Sequence, residues 1–173
     1  MLLRLSKIAL VAASAFFLWL VVFNNLTDYD SNFQFVRHVL SMDTTFPGNQ
    51  GMWRSLAPPV FHHVFYASII LWEFAAAVMI SIGAWKLWQV RGGPLPVWQQ
   101  AKGVASAGLT LSMLQWSVAF ISVGGEWFLM WQSGTWNGQQ AAARVFMIMG
   151  LTLLLLNQSG DDLAAKSTQP RQD

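Results

Sequence analysis

Two charged side chains, Glu73 and Arg144, fall inside long apolar stretches of the 173-residue sequence. A charge at the centre of a membrane helix costs about 2.5–3.5 kcal/mol on insertion scales, so such a residue normally has a partner or a function. His62 and Tyr66 share one helix face with Glu73, because residues at these spacings follow one another along the axis. The pattern predicts a polar stripe that leads to Glu73, whose carboxylate could bind and release a proton or a cation.

Three interpretations of these charges stay open. In the first, Arg144 pairs with Glu73 or with Glu126 and fixes the register of the helices, although polar contacts between membrane helices contribute only about 0.6 kcal/mol on average. In the second, Glu73 is a proton or cation site that is reached along the face of His62 and Tyr66. In the third, one of the charges meets a helix of a partner protein.

The three histidines raise the hypothesis of a haem or metal site. His62 and His63 are adjacent and point about 100° apart on a helix, which does not suit the two axial ligands of one haem. His38, His63 and Asp43 offer ligands that suit zinc or copper, but their spacing is not that of a tight site. The favoured prediction is an interfacial histidine pair beside Tyr66, with no cofactor and no metal.

No enzyme and no nucleic-acid-binding protein is predicted. The sequence has no nucleophile-plus-base arrangement, no phosphate loop and no dinucleotide fingerprint. Cysteine is absent, so the sequence offers no thiolate nucleophile. The formal net charge of +2 is scattered, and no basic run points to nucleic acid.

The elements that must position these residues are four apolar stretches, at 5–23, 61–85, 103–123 and 139–156. Each approaches the roughly 20 residues that cross a hydrocarbon layer as a helix. Only 10% of the residues are charged, against about 25% in average soluble chains. The predicted fold is all-α, a four-helix transmembrane bundle that occupies 1–173 as one domain, with Gly124-Gly125 breaking the chain after the third helix.

The distribution of Lys and Arg predicts that both termini face the cytoplasm. One side of the bundle would carry seven basic residues, including those of a tail at 157–173, namely Arg4, Lys7, Lys86, Arg91, Lys102, Lys166 and Arg171. The loops on the other side carry only Arg37 and Arg54. Ala13-Ser14-Ala15 looks like a signal-peptide cleavage site, but the apolar run continues past it, so we predict an uncleaved first helix.

The segment 24–60 is too long for a simple connector and predicts an outer cap. Asp30 or Ser31 can cap a short amphipathic helix, whose apolar residues recur at helical spacing at Phe33, Val36, Val39 and Leu40. Polar residues of both outer loops would gather beside it, namely Asp28, Arg37, His38, Asp43, Glu126, Gln132, Asn137 and Arg144. This outer cluster is interpreted either as a site for a ligand or partner, or as a hydrogen-bonded plug.

Two stretches of the sequence resemble a known family. The first covers 24–45 and includes FQFVRHVLSMDTT, and the second covers 126–139 and includes EWFLMWQS and WNGQ, with Arg144 after it and Trp72-Glu73 in the second span. They resemble the bacterial domain-of-unknown-function family 2165 of predicted small integral membrane proteins. The resemblance implies four spans and a bacterial inner membrane. It implies no activity, so no functional residue is carried over.

The favoured function is that of a non-enzymatic accessory membrane subunit, which lies in the lipid bilayer and binds a membrane protein partner or a second copy of itself. The alternative is a small proton-coupled transporter or channel that uses Glu73. A haem- or metal-binding membrane protein is the third hypothesis.

Overall fold

The computed structural model describes residues 1–159 and 161, and this part of the chain is all-helical. Its five α-helices are α1 (Leu2–Thr27), α2 (Tyr29–Ser41), α3 (Pro59–Gln89), α4 (Leu95–Leu114) and α5 (Gln139–Asn157). A π-helical segment, Gln115–Trp127, continues α4 without a break. Short 3₁₀ turns at Met52–Arg54 and Met130–Gln132 lie in the connections.

Four of these helices are long and apolar enough to cross a membrane, as the sequence predicts: Leu2–Thr27, Pro59–Gln89, Leu95–Trp127 and Gln139–Asn157. Each begins at or before its predicted start and ends beyond its predicted end. The third helix begins at Leu95, well before residue 103, since Pro96 occupies the first turn. A proline is tolerated there because its missing N–H would have no partner inside the helix.

The expected break at Gly124-Gly125 is wrong, because the third span continues through both glycines in π-helical form. A Cβ at Gly125 would lie 2.5 Å from Nε2 of Gln139, at the start of α5, so the Gln139 side chain would have to move to accommodate it. Gly125 therefore leaves room for the Gln139 side chain beside the π-helical segment. Breaking the helix is not its role.

The two ends of the bundle differ in packing. We call the end where α1 begins and α5 ends the terminal end, and the opposite end the α2 end. In the half nearer the terminal end, Leu18, Ala76, Ile80 and Leu109 have no exposed surface. There α3 and α4 touch closely, since a Cβ at Gly83 would lie 2.5 Å from the backbone of Ala105. Small residues permit this close approach of two membrane helices.

Helix α2 covers the opposite end of the bundle. It buries Phe33, Val36, Val39 and Leu40 in a second core cluster, which also includes Tyr66 of α3 and Phe128 and Met130 of the connection before α5. The helix ends at Ser41, and the next residue, Met42, adopts a left-handed conformation with φ 55°. The backbone N–H of Leu56 then donates to the carbonyl of Leu40, so the segment after α2 folds back against it.

Candidate functional site

Glu73 lies on the buried side of α3 and is only 1% exposed. Its Oε2 accepts a hydrogen bond of 2.7 Å from Nδ2 of Asn25 on α1. The hydroxyl of Tyr66 donates to the backbone carbonyl and to Oδ1 of Asn25, at 3.2 and 3.3 Å. Tyr66 therefore orients the Asn25 amide so that its N–H group faces the carboxyl of Glu73.

The level of Glu73 in the bundle follows from this contact. Asn25 is close to the end of α1 at Thr27 and lies about 27 Å along that helix from Lys7. The hydrocarbon layer of a bilayer is about 30 Å thick. Glu73 itself lies about 21 Å from the start of α3 at Pro59. Helix α3 therefore extends past the end of α1 at the α2 end, and the carboxyl lies at the level where α1 stops.

A cavity of about 230 Å³ runs beside the carboxyl; we call it the polar cavity. Its lining includes Val21, Asn25, Asn32, Phe35, Tyr66, Glu73, Trp116, Phe120, Gly138 and Ala141. Asn32 and Ala141 are exposed at the surface, so the cavity connects the α2 end with the buried carboxyl. A space of this size has room for several water molecules, since one water needs about 10–15 Å³ by this measure.

Two polar side chains of the third span reach this region without a full set of partners. The indole N–H of Trp116, which is 8% exposed and lines the polar cavity, has no hydrogen-bond acceptor within residues 1–159 and 161. The amide of Gln115 donates 3.1 Å to the carbonyl of Ile69, but its Oε1 has no donor in the same part of the chain. Gln115 and Trp116 are the first two residues of the π-helical segment. Such segments are frequent at functional sites.

The polar stripe on α3 takes the form that the spacing predicts. His62, Tyr66 and Glu73 are all buried on the same side of the helix. Nε2 of His62 lies 2.6 Å from the carbonyl of Leu56, so this ring is held by the segment before α3. His62 therefore lies on the α2-end side of Glu73, near the start of α3, and the structure describes no hydrogen bond between the two side chains.

Arg144 and Glu126 do not join the site. Both side chains are exposed. Among the described residues the ion pairs involve neither of them and do not include Glu73. The interpretation in which Arg144 pairs with Glu73 or Glu126 is therefore wrong for this part of the chain. The physical reason is direction: the carboxyl of Glu73 faces Asn25 on α1, whereas Arg144 points away from the core.

The predicted outer cluster divides into separate local contacts. Arg37 is exposed and donates 3.2 Å to Gln34 of its own helix. His38 pairs with Asp43 at 2.8 Å and stacks on Trp136, with ring centroids 4.7 Å apart.

His63 takes part in a different contact from His38. Its Nδ1 lies 3.0 Å from the hydroxyl of Tyr29, and its ring stacks on Phe33. Within residues 1–159 and 161, no three His, Asp or Glu side chains converge in a way that could hold a metal ion. The hypothesized set of His38, His63 and Asp43 therefore does not form a metal site.

Sequence reasoning missed a charged cluster at the terminal end. Asp161 lies between Nζ of Lys7 and Nζ of Lys102, at 3.1 and 3.0 Å, and accepts 2.8 Å from the indole N–H of Trp98. Lys7 also donates 2.7 Å to the carbonyl of Gln158. The contact between Lys7 and Oδ1 is an ion pair by distance, whereas its longer contact with Oδ2, 3.3 Å, has hydrogen-bond geometry.

This terminal cluster is buried. Trp98 has no exposed surface at all. Burial alone would raise the pKa of the Asp161 carboxyl, but hydrogen bonds from Lys102, Lys7 and Trp98 outweigh it and hold that pKa below its ordinary value. The lysines are visible in the sequence only as signals of topology, because nothing there shows that three distant segments meet.

A second cavity, of about 210 Å³, lies beside the polar one; we call it the apolar cavity. The two share Phe35, Val36, Ile69 and Phe120 as walls. Apart from Ser68 and Trp72, the apolar cavity is lined by hydrocarbon side chains, the thioether of Met130 and a glycine. Both polar groups are occupied elsewhere, since Ser68 donates to the carbonyl of Phe65 and Trp72 to that of Leu111. The sequence gives no signal for this cavity, because its lining resembles any lipid-facing helix surface.

Of the comparisons with known proteins, the one with family models gives a match. No curated protein and no solved structure matches it. The model of a family described as "predicted small integral membrane protein" matches residues 3–159, which is nearly the whole of the described chain. The resemblance seen in the sequence is thereby confirmed. The chain belongs to family DUF2165 and is a small integral membrane protein with four candidate spans.

Proposed function

We propose that this protein is a small proton- or cation-coupled transporter whose binding group is the carboxylate of Glu73, reached from the α2 end. One observation carries the proposal. A buried carboxyl without a basic partner in the described chain lies at the inner end of a cavity that opens at the surface. An ionisable residue inside a membrane protein points to a functional site by default.

The alternative explanation, a purely structural Glu73, fits these contacts less well. A structural carboxylate in a low-dielectric interior needs a cation or several donors, because unpaired charge is costly there. Within residues 1–159 and 161, the amide of Asn25 donates to Glu73 and the amide of Gln115 lies near the same carboxyl, but no cation neutralises it. A bound proton or cation would complete the site, and the polar cavity supplies a path for it.

The difference between the two halves of the bundle supports one-sided access. Beyond Glu73, towards the terminal end, Ala76, Ala77 and Ile80 are fully buried. The terminal cluster of Lys7, Lys102 and Asp161 then closes that end. The structure is thus suited to a state that is open at the α2 end, and a transport cycle would require the terminal end to open in turn.

The topology proposed with this function follows the positive-inside rule. Seven of the ten Lys and Arg lie near the two termini or within about eight residues of the connection between α3 and α4, so the terminal end would face the cytoplasm of a bacterial inner membrane. Helix α2 would then lie on the outer face as an amphipathic helix, with Phe33 and Val36 against the bundle and Asp30 and Arg37 towards water. Glu73 would be accessible from outside the cell.

Proton flux in liposomes tests the proposal. The purified protein is reconstituted with a pH-sensitive dye inside the vesicles, and a potassium diffusion potential drives cations inward. We expect flux that depends on the protein and is lost in Glu73→Gln. The matched control is Glu126→Gln, which removes an exposed carboxylate and should leave the flux unchanged. Equal flux in wild type and Glu73→Gln would remove Glu73 from the mechanism, and absence of flux with proton, sodium and potassium gradients would contradict transport.

A role as an accessory subunit is the second candidate, and the exposed Arg144 favours it. This side chain lies in α5, about 7.5 Å along the helix from its first residue, Gln139. It has no ion-pair partner in the described chain. An acidic group of a partner helix would satisfy it. Purification in a mild detergent tests this: a co-purifying membrane protein should be lost in Arg144→Gln but kept in Arg37→Gln.

A further inference from the structure

We infer that the apolar and polar cavities together bind a lipophilic organic cation, with an amine on Glu73 and an apolar body in the apolar cavity. The inference rests on the Glu73 site of the proposed function and names the class of ligand that the site takes. The ligand that fits has a positive nitrogen at one end and a hydrocarbon or aromatic body at the other.

Charge complementarity identifies the head of the ligand. Within the described chain, the amide of Asn25 donates to Oε2 of Glu73 and the amide of Gln115 lies near the same carboxyl, but no positive charge faces it. An ammonium group supplies both the charge and the N–H donors that a carboxylate accepts. The unpartnered indole N–H of Trp116 lines the same cavity and can donate to a hydroxyl or carbonyl next to the amine.

Aromatic rings around the carboxyl favour an organic cation over a bare metal ion. Trp116 and Phe120 stack with centroids 4.5 Å apart, and Phe35 lies 6.3 Å from Phe120. Tyr66 completes the aromatic part of the lining. Rings of this kind attract alkylammonium groups through their negative faces, whereas a small divalent cation requires several oxygen ligands. The site supplies one carboxylate for a positive charge.

The apolar cavity accounts for the body of the ligand. Its volume of about 210 Å³ exceeds the roughly 150 Å³ of an apolar protein cavity that binds benzene. Its two polar groups are already hydrogen-bonded, so nothing in it requires a polar partner. Phe35 and Phe120 belong to the wall between the cavities, so the ligand would span both cavities once these two side chains move aside.

The test uses 4-phenylbutylamine as the probe and 4-phenylbutan-1-ol as its neutral counterpart. Calorimetric titration is done on the full chain in lipid nanodiscs, with empty nanodiscs to subtract partitioning into lipid. The amine should bind about tenfold or more tightly than the alcohol, since a hydrogen bond to a charged group contributes about 1.5–3 kcal/mol. In Glu73→Gln this preference should disappear while the alcohol still binds. Glu126→Gln should keep it.

A second variant separates the two cavities. Ala119 lines the apolar cavity and does not line the polar one, so Ala119→Phe should weaken the amine and the alcohol together. Equal affinity of wild type for the two probes would overturn the inference and point to a neutral occupant such as a lipid chain. An amine preference that survives in Glu73→Gln would also overturn it. Proton flux without amine binding would overturn this inference and leave the proposed function intact. Amine binding without flux would overturn the proposed transport function and leave this inference intact.

Discussion

The terminal cluster should be a main source of stability, and Asp161→Asn tests it. In this variant Lys7 and Lys102, which are 4% and 3% exposed, lose the carboxylate that neutralises them. Breaking a buried ion pair on one side costs about 3–5 kcal/mol. For Asp161→Asn we expect a loss of about 3 kcal/mol in the free energy of unfolding, the lower end of this range, because lysines near a membrane boundary can extend their ammonium groups towards water. For a chain of this size that corresponds to a Tm lower by about 6–12 °C.

The assay is thermal unfolding in detergent, followed by tryptophan fluorescence. Asp30→Asn is the matched control, because Asp30 is exposed and, among the described residues, its side chain accepts only from Gln34 of its own helix. Its Tm should stay within about 2 °C of wild type. Replacing the three charges together with Met at Lys7 and Lys102 and Leu at Asp161 should restore most of the loss, since a buried ion pair can be replaced by apolar groups. A Tm for Asp161→Asn equal to that of the control would refute the reasoning.

Three further predictions follow from the contacts. The pKa of Asp161 is lowered in the folded protein, so its contribution to stability is complete above the ordinary carboxyl pKa and is lost as the pH falls from there through the lowered pKa. The Tm difference between wild type and Asp161→Asn should therefore shrink as the pH falls below about 4. A difference that grows on acidification would contradict this sign. Gly83→Val should lower the free energy of unfolding by about 1–3 kcal/mol or more, and with it the Tm, because the new Cβ meets the backbone of Ala105. Gly103→Ala, with open space around its Cβ, should leave the Tm unchanged or raise it. Tyr66→Phe should cost about 1 kcal/mol by removing the donor to Asn25, which denaturant titration measures, and an unchanged midpoint would show that the hydroxyl is not needed.

The spans could be predicted because they depend on one local property. An apolar run of about 20 residues has few alternatives to a membrane helix. The shared face of His62, Tyr66 and Glu73 was equally predictable, since it follows from helical periodicity alone.

The rest depends on which helices meet, and a single sequence does not show that. Asn25 looks like an ordinary loop residue after the first span, yet α1 extends past it and it holds the carboxyl of Glu73. Asp161 lies beyond the last span and gains its role only from two lysines that are distant in sequence. The π-helical segment that begins at Gln115 likewise has no signal in the apolar pattern, which predicts only a helical span.

Access to the polar cavity from the α2 end is the central claim, and the absence of cysteine makes a direct measurement simple. Single cysteines replace Val21 in the cavity lining, Asn32 at its exposed mouth and Ala77 in the packed half. A small membrane-impermeant cationic thiosulfonate is added to either side of the membrane. We predict that Val21→Cys and Asn32→Cys react from the α2 side only and that Ala77→Cys reacts from neither. An unreactive Val21→Cys beside a reactive Asn32→Cys, or labelling of Val21→Cys from the terminal side, would contradict the account.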